Sequence, residues 1–304
     1  MGLKIIDCKS YIPEKSVSNQ YFEDILDTSE EWILQRTGIE TRYFSNIDVS
    51  EMVKKVVRSL HLGNKKQKIK FIAASSVTPD YIIPSISAIA HKALDLEEDV
   101  FSLDLNMACT GFVGGLILGE RMLEPGECGI IIGAERLSER INFKDRSTAM
   151  LFGDGAAVVL VEKTTDSFPI VQGTVPSKDL ELMANDKSKI VMEGKNIYKF
   201  ATSTLPRALT LLLEKAKLEM EDIDYVIFHQ ANKRIIDSVG KKVGGREKFY
   251  TNLETLGNTS SASIGLCLAE MKEKNYFSKG EKLIILGFGG GLTYAGTILE
   301  WNGL

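Results

Sequence analysis

The run Val100-Phe-Ser-Leu-Asp-Leu-Asn-Met-Ala-Cys109-Thr-Gly-Phe-Val-Gly-Gly-Leu-Ile-Leu-Gly-Glu-Arg-Met122 decides how this chain is read. Its first half is short and apolar and predicts a buried strand; its second half is apolar and rich in small residues and predicts a helix. Cys109 falls at the junction, near the predicted helix N-terminus. Unpaired amide N–H groups and the helix dipole there favour a thiolate over a thiol. A cysteine nucleophile needs such a placement, whereas a buried cysteine elsewhere is ordinary core.

Composition narrows the field around that residue. The chain has 304 residues, with 44% hydrophobic and 26% charged side chains and a formal net charge of −4. This suits a globular protein of one large domain or two fused ones, and the charge gives no sign of nucleic-acid binding. The four cysteines, Cys8, Cys109, Cys128 and Cys267, are scattered, with no ligand spacing for a metal. Reduced thiols, the lack of a membrane-length apolar run and the lack of a signal peptide's apolar core at the N-terminus predict a cytoplasmic protein without membrane contact.

Outward from Cys109, short apolar runs predict further strands: Lys70–Ala74, Gly129–Gly133, Ala156–Val161, Tyr225–Phe228 and Lys282–Gly287. Helical patterns lie between them, as at Thr204–Lys217 and Ser261–Lys274. Strands alternating with helices predict an α/β protein with sheets covered on both faces. The order of elements also repeats: strand, helix, strand, small-residue helix, Gly-Glu turn, strand, with matching strands roughly 150 residues apart, about one domain length. This predicts a duplicated unit with halves at 1–165 and 166–304, in which Cys109 and Asn258 hold similar strand-to-helix positions. The polar stretch from Thr174 to Gly194 reads as an excursion between the halves.

Three later segments join Cys109. His229 ends a predicted strand in Phe228-His229-Gln-Ala-Asn232, where buried α/β strands open onto a crevice. Asn258 lies in Gly257-Asn258-Thr-Ser-Ser-Ala-Ser, which by itself is also a turn and helix cap. The three glycines Gly289-Gly290-Gly291 let backbone approach a ligand closely.

With Glu31-Trp32-Ile-Leu-Gln-Arg36-Thr-Gly-Ile and Phe152-Gly-Asp-Gly-Ala, these segments resemble the thiolase-fold condensing enzymes, most closely the β-ketoacyl-acyl-carrier-protein synthase III family. The resemblance covers nearly the whole chain. It implies a thiolase-like fold of two duplicated α/β halves in a layered α-β-α-β-α core, and a Cys109, His229, Asn258 triad. The absence of a histidine after His229 sets the chain apart from the Cys-His-His ketosynthases.

The implied reaction is a decarboxylative Claisen condensation. Cys109 takes an acyl group from acyl-CoA, and malonyl-acyl-carrier protein then yields 3-oxoacyl-acyl-carrier protein, the initiating step of fatty acid synthesis. The resemblance further implies backbone N–H donors at Cys109 and Gly290 as an oxyanion hole. It implies CoA contacts from Thr28, Trp32, Arg36, Arg146 and Asn232, and carrier-protein contacts from Lys199, Lys233 and Arg234. No metal and no cofactor are implied, CoA being part of a substrate, and a homodimer is expected. Departures are a shortened segment between Arg42 and Lys70, Thr110 after the cysteine, and Ile83 before Pro84 where an aromatic residue is frequent. That position is expected to bound the acyl pocket across the dimer, so the smaller Ile83 admits a branched or longer primer. A synthase III-like acyltransferase of secondary metabolism with another acyl donor or acceptor is the alternative.

Overall fold

The structure is a computed structural model that describes residues 2–167, 169–176, 182–183 and 189–303. Ten strands form the main sheet system: β1 (Leu3–Tyr11), β2 (Ile69–Ser75), β3 (Phe101–Leu105), β4 (Cys128–Glu135), β5 (Gly155–Lys163), β6 (Ile170–Thr174), β7 (Tyr225–Phe228), β8 (Phe249–Tyr250), β9 (Lys282–Gly289) and β10 (Thr293–Trp301). The helices that matter for the site are α1 (Glu30–Thr37), α2 (Val49–Arg58), α3 (Ile86–Leu94), α4 (Gly111–Met122), α5 (Gly194–Ala216), α6 (Lys233–Val243) and α7 (Ser263–Glu273).

The pairing separates these strands into two sheets of one design. In the first half the order is β1-β5-β4-β2-β3; in the second it is β6-β10-β9-β7-β8. The directions match strand for strand. β1 with β5 and β5 with β4 are antiparallel, and β4 with β2 and β2 with β3 parallel. The same sequence of directions runs from β6 to β8. Among the described residues, the sheets join only where Lys4 and Ile5 of β1 pair with Glu300 and Trp301 of β10.

Three apolar layers fill the space around them. The outer face of the first sheet buries Val53, Val56 and Val57 of α2 with Ile86 and Ala90 of α3. The outer face of the second buries Leu205 and Leu209 of α5 with Ile235, Ile236 and Val239 of α6. Between the sheets, Phe112, Val113 and Leu116 of α4 meet Ile264, Cys267 and Leu268 of α7. This is the α-β-α-β-α stack expected from the sequence. Strands covered on both faces explain continuous runs such as Ile130-Ile-Ile132.

One expectation about the strands is corrected. Val100–Leu105 is not a buried strand: β3 is a sheet edge, and Phe101 stands 54% exposed. β8 is only Phe249–Tyr250, and Leu253–Leu256 after it coils into a helical turn. β6 and β10 carry no strong sequence signal, yet β10 is the strand that links the sheets. The expected excursion at Thr174 to Gly194 lies largely outside the described residues; within it, Leu182–Met183 pairs with Val191–Met192.

The inner layer predicts the chief stability cost. Phe112 is fully buried between the sheets, so Phe112→Ala should lower unfolding free energy by about 3–5 kcal/mol. Denaturant titration at neutral pH checks this; a loss under about 1 kcal/mol contradicts the packing described.

Candidate active site

Cys109 sits in a single 3-10 turn, Ala108–Thr110, that runs directly into α4. Ala108 is held at φ +46°, a left-handed conformation that costs a non-glycine residue free energy and turns the strand end sharply into the helix. The thiol is buried, and its Sγ lies 3.3 Å from Ser260 Oγ. Gly289, the last residue of β9, packs directly on it: a Cβ there would come within 2.9 Å of Cys109 Cβ and 3.2 Å of its Sγ. Glycine is required for this approach. The thiolate expected from the helix terminus is not the resting state of this chain. Burial pushes the Cys109 thiol up to about 12, with Glu135 adding to the rise and the Ser260 hydrogen bond opposing it. Desolvation outweighs the helix terminus.

His229 follows β7, where its N–H donates to Leu286 O at 3.0 Å. Its Nδ1 is 2.7 Å from Ser263 Oγ, which also accepts from Gln230 N–H at 3.3 Å. The ring meets Phe288 edge-on at 5.3 Å between centroids. Burial lowers the imidazole to about 3, so it is neutral at physiological pH.

Asn258 is fixed on every side but one. Its N–H donates to Leu151 O at 2.8 Å and its carbonyl accepts from Gly153 N–H at 3.0 Å. Its Oδ1 accepts from Ser260 N–H at 2.9 Å. With the amide oxygen engaged, the Nδ2 donors are the end left for a substrate. Gly257 before it has φ +68°, and Ser260 after it has φ +47°.

The duplicated design specifies which positions correspond. Ala74 of β2 pairs with Ile132 of β4, and Phe228 of β7 with Leu286 of β9. Carried to the strand ends, this matches Ser75 with His229 and Glu135 with Gly289. The two 3-10 turns, Ala108–Thr110 and Ser260–Ala262, match as well. Cys109 therefore corresponds to Ser261, and Asn258 to Asn106. The expected correspondence of Cys109 with Asn258 is off by three residues, because only the backbone shows where each turn begins.

Two cavities reach Cys109 and Asn258, one each, and His229 lines neither. One, of about 460 Å³, is lined by Trp32, Arg36, Ser147, Asn232 and Arg234 and extends to Asn258. The other, of about 910 Å³, is lined by Cys109, Gly290, Val77, Leu137, Phe152 and Ile190. The 150–152 segment stands between them, since Leu151 lines the first and Phe152 the second.

At the first cavity, Ser29 caps α1 by accepting from Trp32 N–H at 3.1 Å. Trp32 carries the Arg146 guanidinium over its ring at 4.3 Å, with Arg36 at 5.7 Å. Asn232 caps α6: its Oδ1 accepts from Arg234 N–H at 2.9 Å and its Nδ2 donates to Arg36 O at 3.0 Å. It thus fastens α6 to α1 with the same amide that was expected to meet a ligand. Lys233 is ion-paired with Glu254 at 2.7 Å, whereas Arg234 is exposed and lies over Tyr198 at 5.6 Å. Lys199 is exposed on α5, and Thr28 buries its Oγ1 without a partner; neither lines the cavity. Ile83 is 85% exposed and lines neither cavity of this chain.

Ser260, Ser263 and Glu135 were not singled out from the sequence. The serines lie in the Ser-rich run read as a helix cap, and Glu135 ends an apolar strand with nothing local to mark it.

Two family models match the chain: 3-oxoacyl-[acyl-carrier-protein] synthase III over residues 103–178 and its C-terminal counterpart over residues 213–301. Beta-ketoacyl-[acyl-carrier-protein] synthase III of Fusobacterium nucleatum is 37% identical over 318 residues, covering 96% of each chain. The protein of that name from Clostridium perfringens strain SM101 is 38% identical over 322 residues, covering 98% of each. The crystal structure of 3-oxoacyl-[acyl-carrier-protein] synthase III from Aquifex aeolicus superposes with a TM-score of 0.91 at 31% identity, covering 98% of this chain and 99% of that one.

His229 sets a pH dependence. The unfolded chain gains a proton on this imidazole below its ordinary value of 6.5, while the folded chain refuses it down to about 3. The stability held by the neutral ring is complete above pH 6.5 and is lost as pH falls toward 3, at a limiting slope of about 1.4 kcal/mol per pH unit. Urea titrations at pH 7, 5 and 4 should show wild type losing stability more steeply than His229→Gln. Parallel losses would contradict the buried neutral imidazole.

Proposed function

The chain belongs to the 3-oxoacyl-[acyl-carrier-protein] synthase III family, and from that premise we propose how its residues divide the work of the initiating condensation of fatty acid synthesis. Cys109 accepts the acyl group of acyl-CoA, and the acyl-enzyme condenses with malonyl-acyl-carrier protein to give 3-oxoacyl-acyl-carrier protein. The observation that carries this assignment is the placement of Cys109 and Asn258, one on each cavity, with Ser260 bonded to both. Relatives at 36–38% identity bear this synthase's name, so a secondary-metabolism enzyme is not favoured.

The pantetheine arm enters through the cavity of Trp32 and Arg234, and the acyl chain lies in the cavity of Leu137, Phe152 and Ile190. Arg146 already covers Trp32, and opening that pair would admit a flat nucleotide base between cation and ring. Sulfur attack on the thioester forms the S-acyl bond and breaks the bond to CoA, whose departing thiolate takes the thiol proton. The acyl oxygen lies toward the backbone N–H groups of Cys109 and Gly290; loss of such a donor costs about 3 kcal/mol.

In the second half-reaction Ser263 Oγ, accepting from Gln230 N–H, donates to His229 Nδ1 and keeps the ring proton on Nε2. His229 Nε2–H and Asn258 Nδ2–H then hold the malonyl thioester carbonyl. CO₂ leaves, the enolate attacks the acyl carbon, and the Cys109 sulfur departs as a thiolate that takes a proton from water. Neutral donors suit this step, because neither gives up a proton to the enolate. We further assign Arg234 and Lys199 to carrier-protein contact, and Thr28 and Arg36 to the nucleotide. We assign residue 165, between β5 and β6, as the boundary of the halves. A second copy on the β3 edge would place its Ile83 over the partner's acyl cavity. No cofactor enters the scheme.

Two variants separate the half-reactions. Cys109→Ser should abolish acyl transfer from acyl-CoA, since an unactivated serine hydroxyl is a far weaker nucleophile; mass spectrometry showing wild-type adduct formation refutes the role. Asn258→Ala should lower CO₂ release from malonyl-acyl-carrier protein by about a hundredfold or more while Cys109 acylation persists. Loss of acylation as well would make Asn258 structural.

A further inference from the structure

Among the described residues, Glu135 is the one fully buried acid beside the site to which the scheme above gives no task. It ends β4 with no exposed surface. One carboxylate oxygen accepts from Val77 N–H at 3.0 Å, Thr78 Oγ1 at 2.8 Å and Ser76 Oγ at 3.3 Å. The other accepts from Ser261 Oγ at 2.7 Å and Ser261 N–H at 3.4 Å. All are neutral donors; burial pushes the Glu135 carboxyl up, and these hydrogen bonds oppose the rise.

Those donors lie on two segments that both serve the reaction. Ser76 and Val77 line the cavity of Cys109. Ser261 follows Ser260, whose N–H fixes Asn258 Oδ1 and whose hydroxyl meets Cys109 Sγ. Ser260 is kept at φ +47°, which a serine adopts only when its surroundings over-determine it. Glu135 also stands where the duplicated half has Gly289: each strand end faces the 3-10 turn of the other half, one with a glycine against Cys109 and the other with a carboxylate against Ser261.

We propose that Glu135 is a positioning residue: its carboxylate clamps the Asn258–Ala262 turn to the Ser76–Thr78 loop, so that Asn258 is presented to the malonyl group at a fixed distance from the acyl cavity. The proposal rests on the condensation reading for its catalytic consequence, but the clamp can be observed without substrate.

The test uses Glu135→Gln in the full-length chain, which keeps the shape but turns an amide donor toward donors. Amide hydrogen exchange should quicken at least tenfold in peptides covering 76–78 and 258–262, with the α4 peptide 111–122 unchanged. CO₂ release by the acyl-enzyme should fall at least tenfold, and acylation of Cys109 by acyl-CoA less than threefold. Where this variant folds poorly, Ser261→Ala removes the 2.7 Å bond, together with the 2.9 Å bond of the same hydroxyl to Ser75 O, and should give the same split at smaller size. Unchanged exchange in both segments overturns the proposal, as does an equal fall in both half-reactions. Wild type that is acylated yet releases no CO₂ would defeat the condensation reading, and the exchange measurement would still decide the clamp.

Discussion

The approach of Gly289 to Cys109 is the constraint on which the rest of the structure depends. It brings the end of a strand in the second half against the turn that bears Cys109 in the first, closely enough that a methyl group would collide. The contact exists only because both sheets press their inner faces onto the α4 and α7 layer, which sets their separation. The inner core of Phe112, Val113, Ile264 and Leu268 is therefore part of the site's geometry as well as of its stability.

Duplication explains why the site is asymmetric. Two units of one topology face each other, and each sends a strand end toward the 3-10 turn of the other. On one side the pair is Gly289 with Cys109; on the other it is Glu135 with Ser261. The same divergence places His229 beside Ser263 where the first half has Ser75 packed on Gly111, with no room there for a side chain. One arrangement leaves space beside a sulfur. The other is filled with hydrogen bonds and fixes the neighbouring turn.

The electrostatics follow from burial rather than from pairing. A raised thiol and a lowered imidazole leave Cys109 and His229 neutral at rest. On these two groups charge develops only as substrate reacts, and preset donors in a buried site respond to such charge strongly. Positive groups lie instead at the mouth of the first cavity, as Arg36, Arg146 and Arg234.

Much of this was legible in the amino-acid order. Buried strands show as apolar runs, the small-residue run after Cys109 marks a helix that must pack between two sheets, and the repeated order of elements gives the halves. The proposed grouping of Cys109, His229 and Asn258 came from motifs, each too short to be specific alone. What the order could not give depends on distance in space. Whether a helix terminus or desolvation governs Cys109 is decided by how deeply the fold buries the sulfur. Asn232 has the composition of a ligand contact, yet its amide is used in joining α1 to α6. Glu135 looks like a lone charge at the end of a strand, and only the tertiary structure shows the donors of both halves that surround it. Hydrophobic period and turn chemistry are local and are written along the chain; burial and long-range hydrogen bonding are set by elements more than a hundred residues apart, and those only the tertiary structure brings together.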